Sequence, residues 1–389
     1  MARTPLALIT AGLMVALAAP LTAQEPVHRS ALHDYRVTTV VDGLNSPWSL
    51  AFLPGGDMLV TERGGQLRIV RNGTLVPSPV AGVPQVRTGG QGGLLDVVLH
   101  PDFASNRLVY LSYSKPSAND SLGTTAVVRG RFENDRLTNV EEIFEADAWW
   151  QGRGHHGSRL AFDGNGHLFI SLGDRQVSPS GDLEAHPAQD RSNHIGSLIR
   201  IHDDGRVPSD NPFVGQAGVL PEIWSYGHRN IQGMVVHPET GNVWLTEHGP
   251  QGGDELNLSP GGGNFGWPVV GYGVNYRSGS VIHGATMREG MENPHHIWVP
   301  SIGVSGLMVY TGDRFPGWKG SIFAGGLVGE QVARLTLEGG EVINEETIAQ
   351  RMGRVRDVRQ GPDGYIYLVI EGRGGVLTPI LRLEPADTN

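Results

Sequence analysis

One short pattern recurs six times along the chain and restricts the folds that the chain can adopt. In each copy a turn rich in Gly, Asp or Pro leads into three or four apolar residues, often followed by a polar residue and glycine. The copies are PGGDMLVTERGG (54–65), HPDFASNRLVYLSYS (100–114), DGNGHLFISLGD (163–174), HPETGNVWLTEHG (237–249), PGWKGSIFAGGLVG (316–329) and GPDGYIYLVIEGRGG (361–375). Turn–strand units repeated at intervals of roughly 45–80 residues are typical of a β-propeller.

The repeats predict an all-β fold, a six-bladed β-propeller of four-stranded antiparallel blades, with seven blades as the alternative. A β-sandwich also contains many short strands, but six similar units fit radial repetition better than two Greek keys. The segment YRVTTVVDGL (35–44) precedes the first copy. We expect it to supply a strand that completes the last blade, which removes an exposed sheet edge.

The chain begins with MARTPLALITAGLMVALAAPLTAQ, which reads as a secretory signal peptide. Arg3 is its one charged side chain, and an uncharged, mainly apolar run from Leu6 to Ala19 follows. Since this run is too short to span a membrane, we predict cleavage near Ala23. The prediction divides the chain into a signal peptide, 1–23, and a single propeller domain, 24–389, that is periplasmic or secreted.

The composition excludes some chemistry and some partners. The chain has no cysteine, so it offers neither a disulfide nor a thiolate nucleophile or ligand. Residues 24–389 contain 29 Lys and Arg against 40 Asp and Glu, a balance that disfavours nucleic acid as a partner. A small anionic ligand stays open, because arginines can cluster locally.

Five loop segments place polar residues among glycines close to the ends of predicted strands. They are TGGQGGLLDVVLHPDF (88–103), GRGHHGSRL (152–160), SYGHRNIQGM (225–234), EHGPQGGDELNL (247–258) and GRVRDV (353–358). Taken singly, each has a structural explanation, such as a turn cap at Gln91 or a salt-bridged loop at Arg229. Taken together, they offer an anion clamp, oxygen ligands and an imidazole.

Two pairs of charged residues indicate ligands of opposite sign. Asp254 and Glu255 form an acidic pair beside a glycine-rich turn, which suggests Ca²⁺ although the 12-residue EF-hand pattern is absent. Arg354 and Arg356 alternate on a predicted strand, so both side chains point to one face. Two adjacent guanidinium groups favour a phosphate or a ligand with several carboxylates.

A zinc site built from His155, His156, His228 and His248 is a weaker interpretation. Neighbouring residues on an extended segment face opposite ways, so His155 and His156 are not expected to share one ion. The chain also lacks an HExxH motif.

Four segments in this order resemble a known family: HHGSRLAFDGNGHLFISLGDR, SYGHRNIQGM, EHGPQGGDELNLSPGGGNFGWP and GRVRDVRQGPDGYIY. They are similar to those of the soluble PQQ-dependent aldose sugar dehydrogenases, the glucose/sorbosone dehydrogenase family. The resemblance covers about residues 38–385, and the family fold is a six-bladed β-propeller, in agreement with the repeats.

The resemblance implies roles for the residues that would carry out the reaction. His155 matches the catalytic base, whereas His156 falls where the family varies. Asp174 matches the acid that orients this base, and Arg229 matches a cofactor contact near the reactive carbonyl. Gln91 matches a residue near the cofactor quinone and the sugar.

The resemblance also implies the binding residues for PQQ and Ca²⁺. Arg354 and Arg356 match the clamp on the PQQ carboxylates, and Asn230 and Ser301 match further cofactor-binding positions. The carbonyls of Gly249 and Pro250 match those that hold the Ca²⁺ bridging protein and PQQ. Glu255 and the backbone of Phe265 resemble a second, structural Ca²⁺ site.

These roles imply PQQ- and Ca²⁺-dependent oxidation of aldose sugars at C1 to lactones, by proton abstraction and hydride transfer to the quinone. Because the chain has no CxxCH haem motif, we expect electrons to pass to a separate quinone or cytochrome acceptor. Two alternatives stay open: a non-catalytic or weakly PQQ-binding sugar-binding propeller, and a Ca²⁺-dependent lactonase that uses Asp174, Asp254 and Glu255.

Two positions depart from the family pattern. Gly154 stands where an acid often precedes the base, and Val328 stands where a lysine often contacts PQQ. Loss of that cation is expected to weaken cofactor binding by about 1–3 kcal/mol unless another cation replaces it. Arg314 and Lys319 are the candidates for replacement that lie nearby in the sequence.

Overall fold

Residues 25–386 are described by a computed structural model of the chain, so the predicted signal peptide, 1–23, lies outside the described residues. In chain order, the strands are β1 (Tyr35–Asn45), β2 (Pro47–Phe52), β3 (Met58–Glu62), β4 (Gln66–Arg71), β5 (Thr74–Leu75), β6 (Leu94–Leu99), β7 (Leu108–Pro116), β8 (Gly123–Glu133), β9 (Arg136–Glu145), β10 (Leu160–Phe162), β11 (His167–Ser171), β12 (Ser197–His202), β13 (Ile223–Tyr226), β14 (Ile231–Val236), β15 (Val243–Glu247), β16 (Asp254–Leu258), β17 (His296–Trp298), β18 (Val304–Val309), β19 (Ile322–Gly326), β20 (Gln331–Glu338), β21 (Glu341–Ile348), β22 (Val355–Gln360), β23 (Ile366–Ile370) and β24 (Leu377–Pro385). Helical structure in this part of the chain is limited to α1 (Phe103–Asn106) and the 3₁₀ turns Leu183–Ala185, Pro187–Gln189 and Pro316–Trp318. None of these helices is long and apolar enough to cross a membrane.

The strands form six four-stranded antiparallel sheets, as predicted, and the sheets are the blades of a propeller. Blades one to five are β2–β5, β6–β9, β10–β13, β14–β17 and β18–β21. The sixth blade joins β22, β23 and β24 to β1, with Tyr35 opposite Pro385 and Asn45 opposite Leu377. The first strand therefore completes the last blade, which confirms the expected closure of the ring.

Apolar side chains fill the interfaces between neighbouring blades. Some middle strands are buried along their whole length because both of their faces pack, as in β3, β15 and β23. One buried cluster lies at each of the six interfaces; Leu59, Leu67, Val97 and Leu111, for example, join blades one and two. Successive residues of a strand point to opposite faces, so each blade contributes to two clusters.

A buried ionic network connects the innermost strands near the propeller axis. Arg159 is 1 % exposed, and its Nη1 lies 3.4 Å from Asp96 Oδ1 and 3.0 Å from Asp357 Oδ1. Its guanidinium also lies 4.0 Å from the ring centroid of Trp48. Since a buried cation needs compensating charge, the two carboxylates and the indole face stabilise Arg159 at the meeting point of the blades.

Candidate functional site

A cavity of about 600 Å³ lies on the axis, where the innermost strands of the blades begin. Every blade contributes wall residues from this end: Trp48, Leu95, Gly157, Gln232, Gly303 and Arg356. The innermost strands are β2, β6, β10, β14, β18 and β22, and each contacts its neighbours around the ring. This arrangement explains why glycine-rich segments far apart in the sequence reach one site.

Three arginines converge on one carboxylate in the cavity wall. Arg356 Nη2 lies 2.8 Å and Arg354 Nη2 lies 3.3 Å from Glu371 Oε2, and Arg63 Nη2 lies 3.2 Å from Oε1. Burial alone raises the pKa of Glu371, but the three guanidinium groups outweigh burial and lower this pKa to about 2. The cluster therefore keeps a net positive charge of about two, which suits an anionic ligand.

The predicted convergence of Arg354 and Arg356 is confirmed, although Arg354 lies just before β22 rather than within it. Arg356 Nη1 also donates to Gln232 Oε1 at 2.8 Å, and Arg354 Nη1 donates to the Leu327 carbonyl at 3.0 Å. Nε of Arg354 is buried and has no hydrogen-bond partner within residues 25–386. Both arginines line the cavity, so their guanidinium groups give this part of the wall its positive charge.

The other residues predicted to contact the cofactor or Ca²⁺ either line the cavity or lie behind its wall. Gln91, Gly249, Pro250 and Ser301 line the cavity. Its apolar wall includes Trp48, Leu95, Leu327 and Val328. Asn230 is fully buried instead, and its Oδ1 accepts from Gly157 N and Gln232 Nε2, both at 3.2 Å. Asn230 thus supports two wall residues from behind.

His155 and Asp174 form a buried pair behind the wall residue Gln91, and of the two adjacent histidines it is His156 that lines the cavity. His155 Nδ1 lies 2.5 Å from Asp174 Oδ1, and Trp267 Nε1 donates to Asp174 Oδ2 at 2.8 Å. Burial lowers the pKa of His155 more than Asp174 raises it, so the imidazole is held neutral. Burial raises the pKa of Asp174, but the imidazole outweighs burial and lowers it. A carboxylate bound to Nδ1–H leaves the lone pair of the neutral ring on Nε2.

The backbone around His155 is held in an uncommon conformation. His155 has φ 45°, a left-handed value that few non-glycine residues adopt. Its N–H donates to Gln91 Oε1 at 2.8 Å. Arg175 is 1 % exposed, and its Nη1 donates to the carbonyls of Gly154 and His155 at 2.7 and 3.2 Å. Gln91 and Arg175 therefore position the imidazole by fixing the chain on both sides of it.

The two histidines of GRGHHGSRL have different surroundings, as predicted from their adjacency. The His156 ring lies between blade-two side chains, with Nε2 3.4 Å from Ser114 Oγ and Nδ1 3.4 Å from Thr125 Oγ1. Elsewhere, His228 Nδ1 is paired with Glu247 Oε2 at 2.8 Å. Among residues 25–386, no three His, Asp or Glu side chains are grouped to hold a metal ion, so the structure gives the histidine–zinc interpretation no support.

Arg229 contacts the predicted calcium loop and also Trp267, the residue that binds Asp174 of the His155–Asp174 pair. Its Nη1 donates to the carbonyls of His248 and Gly249 at 3.0 and 2.7 Å, and its guanidinium lies 5.1 Å from the ring centroid of Trp267. Arg229 lines a second, small cavity rather than the large one. Both cavities are lined by His248, Gly249 and Pro250. Arg229 therefore lies at the wall that separates the large cavity from the small one.

The residues predicted to bind Ca²⁺ lie in two places. In the large cavity, Asp254 Oδ1 accepts from Gly249 N at 3.0 Å and Oδ2 accepts from Val304 N at 3.0 Å, which fixes the loop that presents the Gly249 and Pro250 carbonyls. The Pro250 carbonyl accepts from Tyr276 Oη at 3.1 Å. Each carbonyl oxygen has a second lone pair, so both can still serve a hard cation.

The second predicted site borders the small cavity of about 20 Å³, which suffices for one water or ion. Glu247, Glu255 and Phe265 line it. Burial, with the Glu247 carboxylate nearby, raises the pKa of Glu255 to about 8. Two buried carboxylates in one small space repel each other, and a cation between them would remove the repulsion.

The site residues that sequence reasoning missed include Arg63, Arg175, Trp267 and Glu371. Arg63 and Glu371 each stand at or just after the end of a strand and before glycine, in TERGG and IEGRGG. A polar residue beside glycine at the end of a strand also marked the five loop segments. In TERGG and IEGRGG this pattern was interpreted only as part of the repeat.

The structure shows the surroundings of the two positions that depart from the family pattern, Gly154 and Val328. A Cβ at Gly154 would lie 2.3 Å from Cδ and Oε1 of Gln176, so the Gln176 side chain covers this position. Val328 lines the cavity and is 68 % exposed. Neither proposed replacement cation lines the cavity, because Arg314 lies over the Tyr365 ring and Lys319 pairs with Asp313.

Residues 44–379 match the family model described as Glucose / Sorbosone dehydrogenase. The chain is 43 % identical over 355 residues to the aldose sugar dehydrogenase YliI of Escherichia coli (strain K12), which spans 90 % of this chain and 92 % of that protein. A crystal structure of a glucose dehydrogenase is 45 % identical, with a TM-score of 0.83 over 90 % of this chain and 99 % of that one. The PQQ-bound form of the aldose sugar dehydrogenase of Streptomyces coelicolor is 30 % identical, with a TM-score of 0.72 over 90 % and 98 %.

Proposed function

Since the chain belongs to the glucose/sorbosone dehydrogenase family, we propose that it oxidises aldose sugars at C1 to lactones with PQQ and Ca²⁺. It is an oxidoreductase of the PQQ-dependent aldose dehydrogenase type. The observation that carries the proposal is the His155–Asp174 pair behind the wall of a cavity lined by arginines. The predicted signal peptide supports a periplasmic or secreted location, with a separate quinone or cytochrome acceptor for the electrons.

The cavity fits a flat anion with several carboxylates. Four arginines line it against two carboxylates, those of Asp254 and Glu371, so its wall carries an excess of positive charge. The indole of Trp48 and the side chains of Leu95 and Leu327 supply apolar surface for a ring system. When bound, PQQ supplies the o-quinone that accepts the hydride from the sugar.

His155 is the proposed general base for the sugar hydroxyl. Asp174 holds Nδ1–H, so Nε2 is the atom that takes the proton, and Asp174 stabilises the imidazolium that forms. Burial keeps the ring neutral before the reaction, as a base requires. Trp267 and Gln176 N bind Asp174 and hold its carboxylate toward the ring.

The carbonyls of Gly249 and Pro250 would hold Ca²⁺ in the large cavity, and Glu255 with the Phe265 backbone would hold a structural ion. Ca²⁺ in the first site supplies a Lewis acid beside the cofactor. Arg229, bound to the Gly249 carbonyl, is placed to bridge this site and the His155–Asp174 pair.

Reconstitution of metal-depleted apoprotein tests the proposal. We expect aldose-dependent reduction of a dye only when both PQQ and Ca²⁺ are added. His155→Ala should abolish turnover while PQQ still binds, and His296→Ala is the matched control because that imidazole pairs with Glu345 and lines neither cavity.

Three outcomes would contradict the proposal. Full activity in the His155→Ala protein would reject the base assignment. A folded protein that binds sugar but never PQQ would be a non-catalytic propeller, and lactone hydrolysis without PQQ would indicate the Ca²⁺-dependent lactonase.

A further inference from the structure

We infer that Arg63 is a cofactor-binding residue, a third guanidinium that contacts a carboxylate of PQQ alongside Arg354 and Arg356. The chemical identity of the ligand rests on the proposed function. The position of Arg63 rests on the structure alone.

Arg63 is fixed in the cavity wall by contacts at both ends of its guanidinium. It follows β3, and its Nη1 donates to the Gly90 carbonyl at 2.9 Å while Nη2 pairs with Glu371 Oε1 at 3.2 Å. Arg354 and Arg356 use the other oxygen, Oε2. Glu371 therefore orients all three guanidinium groups, and Arg63 approaches from the blade-one side of the ring.

The Arg63 guanidinium has a hydrogen-bonding capacity that the described residues do not use. Its side chain is 22 % exposed and borders the cavity. A guanidinium has five N–H donors, and the contacts with Gly90 and Glu371 engage one donor of Nη1 and one of Nη2. Each of these two nitrogens keeps a second N–H, which a ligand oxygen in the cavity can accept.

The net charge of the cavity wall also favours Arg63 as a contact of the cofactor. An ionised Glu371 repels a tricarboxylate, and Arg354 and Arg356 alone would leave the cluster with a net charge of only about one. Arg63 raises the net charge to about two. Arg373 also lines the cavity and adds to this charge, whereas Arg314 and Lys319, the cations near Val328 in the sequence, lie outside the cavity wall.

The test is a PQQ titration of the apoprotein at fixed Ca²⁺, followed by absorbance and without sugar. Arg63→Ala and Arg63→Gln remove the charge, and the glutamine amide keeps a donor in the wall if the alanine variant folds poorly. Loss of one charge-assisted hydrogen bond is expected to raise the Kd by about 10- to 150-fold. Arg63→Lys should recover part of the affinity, and Arg314→Ala is the control because its guanidinium lies over Tyr365.

The outcomes separate this inference from the proposed function. If the unaltered protein binds PQQ and folded Arg63→Gln binds within twofold of it, Arg63 is not a cofactor-binding residue. If the unaltered protein binds no PQQ, the proposed function and this inference fall together.

Discussion

Replacement of Asp174 by Asn removes the charge of the side chain but keeps its size and shape. In the native site, Asp174 accepts from His155 Nδ1 at 2.5 Å, from Trp267 Nε1 at 2.8 Å and from Gln176 N at 2.8 Å. An amide keeps the size of the side chain, but it removes the charge that stabilises the imidazolium. The side chain of Asp174 is 1 % exposed, so solvent does not screen this charge.

The expected magnitude follows from the hydrogen bond that is lost. A hydrogen bond to a charged group contributes about 1.5–3 kcal/mol, and if it strengthens as the ring takes the proton, kcat falls by about 10- to 150-fold. The pKa of His155 must also fall, because Asp174 raises it in the native protein against burial. The base is then neutral down to a lower pH, so the acid limb of the kcat profile moves to lower pH.

The assay is dye reduction at saturating PQQ, Ca²⁺ and aldose across the pH range, with PQQ affinity measured separately. Unchanged kcat in Asp174→Asn, or an acid limb that moves to higher pH, would refute the assignment of Asp174 to the base. A parallel loss of PQQ binding would show instead that Asp174 supports the fold of the site.

Three further predictions concern the scaffold around the site. Glu371→Gln should lower the free energy of unfolding by about 3 kcal/mol at pH 7, since the pKa of Glu371 falls from its ordinary value of 4.5 to about 2 in the folded protein. This contribution is present above pH 4.5 and disappears as the pH falls toward 2, so urea unfolding should show a smaller difference between the two proteins at pH 3 than at pH 7. Arg175→Met should cost about 3 kcal/mol in the same measurement, because the carbonyls of Gly154 and His155 lose their buried donor, and a loss below 1 kcal/mol would contradict the positioning role. Gly154→Ala should change stability by only about 0.5 kcal/mol, since the exposed Gln176 side chain can swing away, and a loss above 2 kcal/mol would show that Gln176 is held in place.

The blade architecture was predictable because its signals are local. Each turn–strand unit contains its own turn rich in Gly, Asp or Pro and its own apolar run, and the closing role of β1 follows from a strand that precedes the first unit. His155 and His156 have different partners, as expected, but adjacency on an extended segment is not the reason, because His155 has φ 45°.

The centre of the site was predictable only in part, because its contacts join segments far apart in sequence. Arg63 and Glu371 are separated by 308 positions, and Trp267 reaches Asp174 across 93. Nothing in a local pattern distinguishes Glu371 from a solvated charge at the end of a strand. The motif resemblance identified Arg354 and Arg356 but carried no information on the carboxylate that orients them.

The most direct test of the central claim is a single-turnover experiment without an electron acceptor. Protein loaded with PQQ and Ca²⁺ is mixed rapidly with an aldose, and the absorbance of the bound cofactor is followed. We expect the spectrum to change from oxidised to reduced PQQ, with one lactone formed per cofactor and no change in the His155→Ala protein. An oxidised spectrum that persists in the presence of bound sugar would contradict the account.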